Sequence, residues 1–452
     1  MSSIAETESA ATTLQPSLSR RLIARHFGSS DDALCLGGVS VDKLASKYGT
    51  PLFIYDESVM LEALQSLRAA TGDSVDIYYS MKANPTQRIL KLYCSHGCGI
   101  EIASIGELEQ ALAAGVDPKR ILFAGPGKQS HELRRAAEVG IGEIHLESLR
   151  EAEELNRLAA EQNRTIRVSL RINPTESVQG GAMRMGGKPS PFGIPEEELE
   201  AAVLRIEALP HLLLDGLHLF TGTQILQAEI LLKQYARAIE LAGRIVELTG
   251  RALGSIDFGG GLGIPYFEHE GHLDLEVLRE GFKDVASQLA DHPLLYRTRM
   301  IIEPGRFLVG PAGIYLSRVI DVKISRGKEF VITDGGMHHH LAASGNLGQT
   351  IKRNYPIVLA NRLGEAESQR YDVVGPLCTP LDTLGRNVAL PGVQPGDLIA
   401  VLQSGAYGRS SSPMQFLSHP SPAEALVSDG TSSLIRHAGG WQDLIGEQVV
   451  DR

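Results

Sequence analysis

Basic charge is scarce in this 452-residue chain: 43 Lys and Arg stand against 54 Asp and Glu, a formal net charge of −11. A nucleic-acid binder presents a basic face that displaces counterions, so no nucleic-acid partner is expected. Long apolar runs are missing as well. None approaches the ~20 residues that cross a bilayer, so no membrane partner is expected either. The 4 cysteines, Cys35, Cys94, Cys98 and Cys378, are few for this length and point to a reducing, cytoplasmic setting. Cys94 and Cys98 flank His96, but no second cysteine pair completes a tetrahedral set, and no metal is assigned. Residues 1–30 lack the apolar core of a secretory signal and read as a flexible N-terminal tail. Arg20, Arg21 and Arg25 suit an organelle address, against which Glu6 counts.

What is present is a repeating texture. From about Asp56 to Gly305, short apolar runs alternate with amphipathic stretches, the pattern of parallel βα units. The strand candidates are Ile77–Ser80, Gly99–Ala103, Arg120–Ala124, Glu143–Glu147, Arg167–Ile172, Leu214–Leu219, Ser255–Phe258 and Arg299–Glu303. Between them, Ile105–Gly115 carries Leu108, Ala111 and Leu112 on one face, and Leu149–Gln162 carries Ala152, Leu155 and Leu158. Pro195 and the glutamates after it open another helix. Eight such units predict a closed (β/α)8 TIM barrel over residues 57–310, with its site at the C-terminal strand ends. Beyond Gly305 the strand-like runs Val319–Ile324, Phe330–Asp334, Tyr371–Val374, Leu398–Leu402 and Ala425–Val427 are separated by turn residues. Residues 311–452 therefore read as an all-β C-terminal domain, joined by N-terminal strands from residues 31–56 that include Leu52–Tyr55.

The polar residues that stand out fall at the predicted strand ends. Lys82 follows the first, Glu101 lies in the second and Arg171 in the fifth. Thr223 follows the sixth, Gly259, Gly260 and Gly261 follow the seventh, and Glu303 ends the eighth, just before Arg306. A barrel brings all of these to one mouth. There an amine can form an imine, a glycine loop can approach a phosphate closely, and an arginine can pair with it. Glu303 can hold a proton on a pyridine nitrogen and keep the ring a strong electron sink. Together they point to pyridoxal phosphate. His338–His340, read as part of a strand, would point alternately to opposite faces and so do not suggest a metal. Gly180–Pro191, with Met183, Arg184, Met185 and Lys188, reads as a basic-apolar loop: a solvated connection, a lid or a dock for an acidic protein.

The motifs Tyr79–Asn84, Ile102–Glu107, Asp257–Gly261, Glu303–Arg306, Gly375–Cys378 and Ser404–Tyr407, in this order, resemble those of the fold-type III pyridoxal 5'-phosphate decarboxylases. That group holds the diaminopimelate, ornithine and arginine decarboxylases, on an alanine-racemase-like barrel. The resemblance runs from about Leu52 to Pro420. It implies that Lys82 carries the cofactor as an imine and that Glu303 faces its ring nitrogen. It also implies that Thr223, the glycine triplet, Arg306 and Tyr407 hold the phosphate, with Glu101 and Arg171 beside the cofactor. Cys378 would protonate the quinonoid carbon after carbon dioxide leaves, presented across a homodimer interface to the partner's Lys82.

Departures from the family pattern narrow the substrate. Phe220 stands where members stack a histidine on the ring; a phenyl ring still stacks but cannot titrate. Thr379 and Pro380 follow Cys378 where diaminopimelate decarboxylases place an amine-reading glutamate. Their arginine and tyrosine for the distal carboxylate correspond to positions near Ala342 and Asn346. Leu219–Gln224 with Leu377–Asp382 is similar to the carrier-protein-linked branch, the butirosin-type glutamyl decarboxylases and the exosortase-associated enzymes. The expected substrate is thus an amino acid or its carrier-protein-bound form, with Thr379 and Asp382 near it. A free diamino acid (diaminopimelate, ornithine or lysine) is the alternative through Asp382. A racemase is disfavoured by Glu303, and a non-catalytic regulator by Lys82, Cys378 and Asp382.

Overall fold

The barrel strands are short because each is buried on both faces and ends at a turn toward a helix. In the computed structural model, which describes residues 16–175, 183–184, 189–349 and 351–449, eight parallel strands close on themselves. They are Val75–Ser80, Gly99–Ile102, Ile121–Phe123, Glu143–Leu146, Ile166–Asn173, Leu212–Leu219, Ser255–Asp257 and Arg299–Ile302. Closure comes from pairing of the fourth with the fifth and of the eighth with the first. Each strand candidate from the sequence is present, shifted by at most two residues at an end. Ser104 and Ser148 cap the helices Ile105–Ala113 and Leu149–Glu161, their hydroxyls accepting from Glu107 N and Glu151 N. Leu108, Ala111, Ala152, Leu155 and Leu158 are buried against the sheet.

The second domain is a sheet around the long strand Gly313–Ser325, which pairs with Lys328–Thr333, Leu398–Val401 and Leu52–Asp56. Leu52–Asp56 lies between Gly313–Ser325 and Ala423–Ser428, so the early strand is an interior member of a sheet otherwise built from the C-terminal third. Ile357–Leu359, Thr383–Leu390 and Thr431–Arg436 complete it and were not anticipated. A separate three-stranded sheet holds Gly28–Ser30, Ala33–Leu36 and Val39–Ser40.

Two sequence expectations need correction here. Residues 18–26 are not a loose tail: Ser17 caps a helix, Leu18–His26, whose Leu22 is 1 % exposed in the core beneath the β-domain. Apolar spacing within a polar stretch was enough to dock it. His338–His340 form a turn, not a strand, and all three are buried. Residues 1–15 and most of Gly180–Pro191, Lys188 included, lie outside the described residues.

Candidate active site

The strand ends bring the anticipated residues to one mouth. Lys82 lies in the turn Met81–Ala83 after the first strand, and its amine donates to the Glu101 carboxylate at 2.9 and 3.1 Å. Ser80 Oγ donates to the same carboxylate. Burial opposes the ammonium, but Glu101, Tyr407 and Glu303 outweigh it and hold the Lys82 pKa above its ordinary value. Tyr407 N donates to Ala83 O at 2.8 Å, and Asn84 Nδ2 to Gly405 O at 3.2 Å. The far end of the chain is thereby laid on the lysine turn.

Opposite, Gly259 and Gly261 take φ of +67° and +97°, values that side chains rarely adopt. A Cβ on Gly260 would stand 2.4 Å from the Glu303 carbonyl oxygen, so the loop packs tightly on the eighth strand. Gln224 pins the segment that follows through Ile264 N at 3.2 Å and through Ile264 O. Arg306 donates to the Tyr266 hydroxyl at 2.9 Å, and its guanidinium lies 4.6 Å from the Tyr407 ring centroid. Its buried Nε has no hydrogen-bond partner among the described residues. Phe220 borders Gly259, and the Arg171 guanidinium lies 5.9 Å from its ring. Arg171 also donates to Glu147 at 2.6 Å. Met183–Arg184 pairs with Gly222–Thr223, so the loop after the fifth strand runs past Thr223.

Glu303 is 5 % exposed, and its Oε1 has no hydrogen-bond partner among the described residues. Burial opposes its charge, yet His218, His145 and Lys82 hold its pKa below the carboxylate range. An unpaired buried carboxylate suits a protonated ring nitrogen. An amine, a glycine nest, an arginine with a free donor and this carboxylate fit pyridoxal phosphate without a clash of roles.

Several contributors escaped the sequence reading. Glu143 and His145 on the fourth strand, Glu147 just after it, His218 on the sixth and Asp257 on the seventh are all buried. Their signal is alternation: polar residues every second position within runs that otherwise read as apolar strands.

The residues assigned to substrate sit elsewhere. Cys378 is exposed on the loop between Gln369–Val374 and Thr383–Leu390. Asp382, expected to touch substrate, is 2 % exposed and accepts from Met337 N at 2.6 Å and Leu377 N at 2.9 Å. Each oxygen accepts from one backbone amide, so it clasps two loops. Thr379 Oγ1 accepts from Leu381 N within the same turn. Arg409 lines a small cavity with Glu424 and Arg436.

The fold and this mouth define a barrel-type pyridoxal phosphate enzyme. The chain belongs to the pyridoxal-dependent decarboxylases: residues 58–310 match the model of their pyridoxal binding domain. It is 39% identical over 417 residues, 92% of this chain and 97% of the relative, to the L-glutamyl-[BtrI acyl-carrier protein] decarboxylase of Niallia circulans. The diaminopimelate decarboxylase of Zymomonas mobilis is 32% identical, with 94% of this chain and 99% of the relative covered. The crystal structure of Helicobacter pylori diaminopimelate decarboxylase complexed with L-lysine superposes with a TM-score of 0.80 at 30% identity, covering 89% and 98% of the two chains.

Proposed function

We propose that this decarboxylase removes the α-carboxylate of an aminoacyl group, such as glutamyl, carried on an acyl carrier protein. The carrying observation is the missing grip for a distal charge. Ala342 is buried, and the Asn346 amide donates to Ser344 Oγ at 2.7 Å and Leu381 O at 3.1 Å while its oxygen accepts from Lys352. Arg353, the arginine next along the chain, is turned to His269 at 3.0 Å. A free distal carboxylate buried there would be unpaired, at a cost of about 1–3 kcal/mol or more. A thioester carries no such charge. The carrier-linked name of the Niallia circulans relative supports the same reading.

Pyridoxal phosphate bound at the mouth would supply an electron sink for the pair left when carbon dioxide departs. Lys82 would hold the cofactor through its amine. Glu303 would keep a proton at the ring nitrogen, while Gly259–Gly261, Thr223, Arg306 and Tyr407 would hold the phosphate and Phe220 would offer its face to the ring. Cys378 Sγ, exposed on its loop, would supply the α-carbon proton from the partner subunit of a homodimer. Arg184 and Lys188, in a chain of net charge −11, are the proposed dock for the acidic carrier. A cytoplasmic setting is part of this reading, and among the described residues no helix is long and apolar enough to cross a membrane.

Carbon dioxide release over free amino acids and aminoacyl carrier proteins tests this. Turnover of the carrier-bound substrate, weakened through its Michaelis constant by charge reversal at Arg184 and Lys188, is expected. Efficient turnover of free diaminopimelate would overturn it. The free diamino acid alternative has lost support, since Asp382 is engaged by backbone amides.

A further inference from the structure

The interior of a (β/α)8 barrel is ordinarily filled by layers of branched apolar side chains. Here it carries a polar column. Glu143, His145, His218, Asp257 and Glu303 are each 5 % exposed or less and point to the axis from neighbouring strands. At one end Glu143 accepts from Ser169 Oγ and, at 2.9 Å, from Ser255 Oγ. Glu143 also lines a cavity of about 290 Å³ at the N-terminal mouth of the barrel, with Tyr78, Arg167 and Arg299. His145 Nε2 is 3.3 Å from Glu143 and 3.8 Å from Asp257 Oδ2. The His145 and His218 rings are 4.4 Å apart, and His218 Nε2 is 3.6 Å from Glu303. The column thus runs from the far mouth to the residue under the cofactor.

Its polar atoms are unspent. Asp257 Oδ2, Glu303 Oε1 and both nitrogens of each histidine have no hydrogen-bond partner among the described residues. Asp257 Oδ1, in contrast, accepts from Gly259 N at 2.8 Å. Buried unpaired groups are costly, and a column of them in a core suggests a use beyond packing. The charged groups that face it are few. Lys82 with Glu101 and Arg171 with Glu147 lie above; Arg299, with Asp76 and Tyr78, lies below. Those cations already have carboxylate partners, so the three acids of the column must be balanced from within. Burial and the Glu303 charge push Asp257 well up, and burial then His145 push His218 down to about 4. These shifts favour a proton on Asp257 beside an uncharged His218 and an anionic Glu303.

We propose that Glu143, His145, Asp257 and His218 are positioning residues that pass protons along the barrel axis between the far mouth and Glu303. They thereby set the charge that Glu303 presents to the ring nitrogen. In each step a proton moves from one oxygen or nitrogen to the next, and the site left empty is refilled by its neighbour. Glu143 exchanges with water in the far cavity, so no proton is gained or lost overall. The 3.3–3.8 Å gaps exceed hydrogen-bond length (~2.7–3.2 Å) by less than an ångström, within reach of a small ring rotation. This rests on the placement of the ring nitrogen at Glu303. The same atoms, all within 4.8 Å of one another, would also suit a divalent metal, which is the rival outcome of the test.

The bound cofactor reports the column directly through its visible absorbance. In the holoenzyme, Asp257→Asn keeps the acceptor for Gly259 N but not the proton site, and should shift the spectral pH midpoint by about one unit or more, a tenfold change. Glu143→Gln keeps the serine contacts and should leave the midpoint in place while slowing relaxation after a pH jump about tenfold. Should Asp257→Asn fail to fold, Glu143→Gln, which touches neither cofactor nor glycine loop, carries the test alone. Folded variants with wild-type midpoint and relaxation would overturn the relay. So would a stoichiometric metal in the purified protein that His145→Gln removes. If Glu303→Gln alone alters the spectral response, the cofactor placement stands and the relay fails. If Glu303→Gln leaves that response unchanged, the placement itself fails.

Discussion

The Lys82 amine reaches both oxygens of the Glu101 carboxylate, and that pairing is what keeps it an ammonium inside the barrel mouth. Only an uncharged amine attacks an aldehyde. Loading of the apoenzyme should therefore be slow at neutral pH and accelerate as pH rises. Glu101→Gln should load faster at pH 7, read as growth of visible absorbance after pyridoxal phosphate is added. Borohydride should then fix the cofactor on Lys82, and Lys82→Ala should show no such label.

Cys378 is exposed on a loop of the second domain, and the proposed function has it serve the Lys82 of a partner subunit. Mixing inactive Lys82→Ala with inactive Cys378→Ala protein should restore part of the activity, since a hybrid dimer holds one intact pair. Subunit exchange shown by labelled chains without recovered carbon dioxide release would count against it.

Asp382 has a structural task that its spacing from Cys378 does not advertise. A Cβ on Gly336 or Gly375 would stand 2.1 or 2.3 Å from its carboxylate, so the two loops close on it with no room to spare. Asp382→Ala removes two hydrogen bonds to a charged acceptor and should cost about 2–4 kcal/mol in denaturant unfolding. Activity should fall with it, because Leu377 N is one residue from Cys378.

Buried histidines impose a pH limit. Burial lowers His340 to about 3 from 6.5, with Nε2 at 3.0 Å from Ser404 Oγ and Nδ1 accepting from Ala343 N. Between those values the unfolded chain binds a proton that the folded one refuses. Stability is thus fully present above pH 6.5 and falls as pH drops through the range below. One such histidine costs about 2 kcal/mol at pH 5. His340→Gln should flatten the decline in unfolding free energy between pH 7 and pH 5 by about that amount.

The barrel was legible because every strand is an apolar run flanked by turns, and because Ser104 and Ser148 announce their helices. The site residues were legible where they end a strand, as Lys82 and Glu303 do. Those inside strands were not: His145 and Asp257 occupy positions that the apolar pattern assigns to core, and their polarity makes sense only once five strands converge. Thr383–Leu390 was missed for a different reason. Its Gly385-Arg386-Asn387 centre and shifted register against Gln369–Val374 break the alternation that marks a strand. The loop-clasping role of Asp382 was not legible, because sequence proximity to Cys378 says nothing of the backbone amides that tertiary folding brings to it.

The place of Leu52–Asp56 within the second sheet sets an order of events during synthesis. This strand leaves the ribosome before any of the barrel, yet one neighbour begins at Gly313 and the other spans Ala423–Val427. The barrel can close once Ile302 has emerged, while its predecessor waits, edge bare, for almost the whole chain. A nascent chain stalled just after Ile302 has cleared the ribosome should hold a folded barrel beside an adhesive ribbon, Leu-Phe-Ile-Tyr, open to chaperones or to another chain's strand.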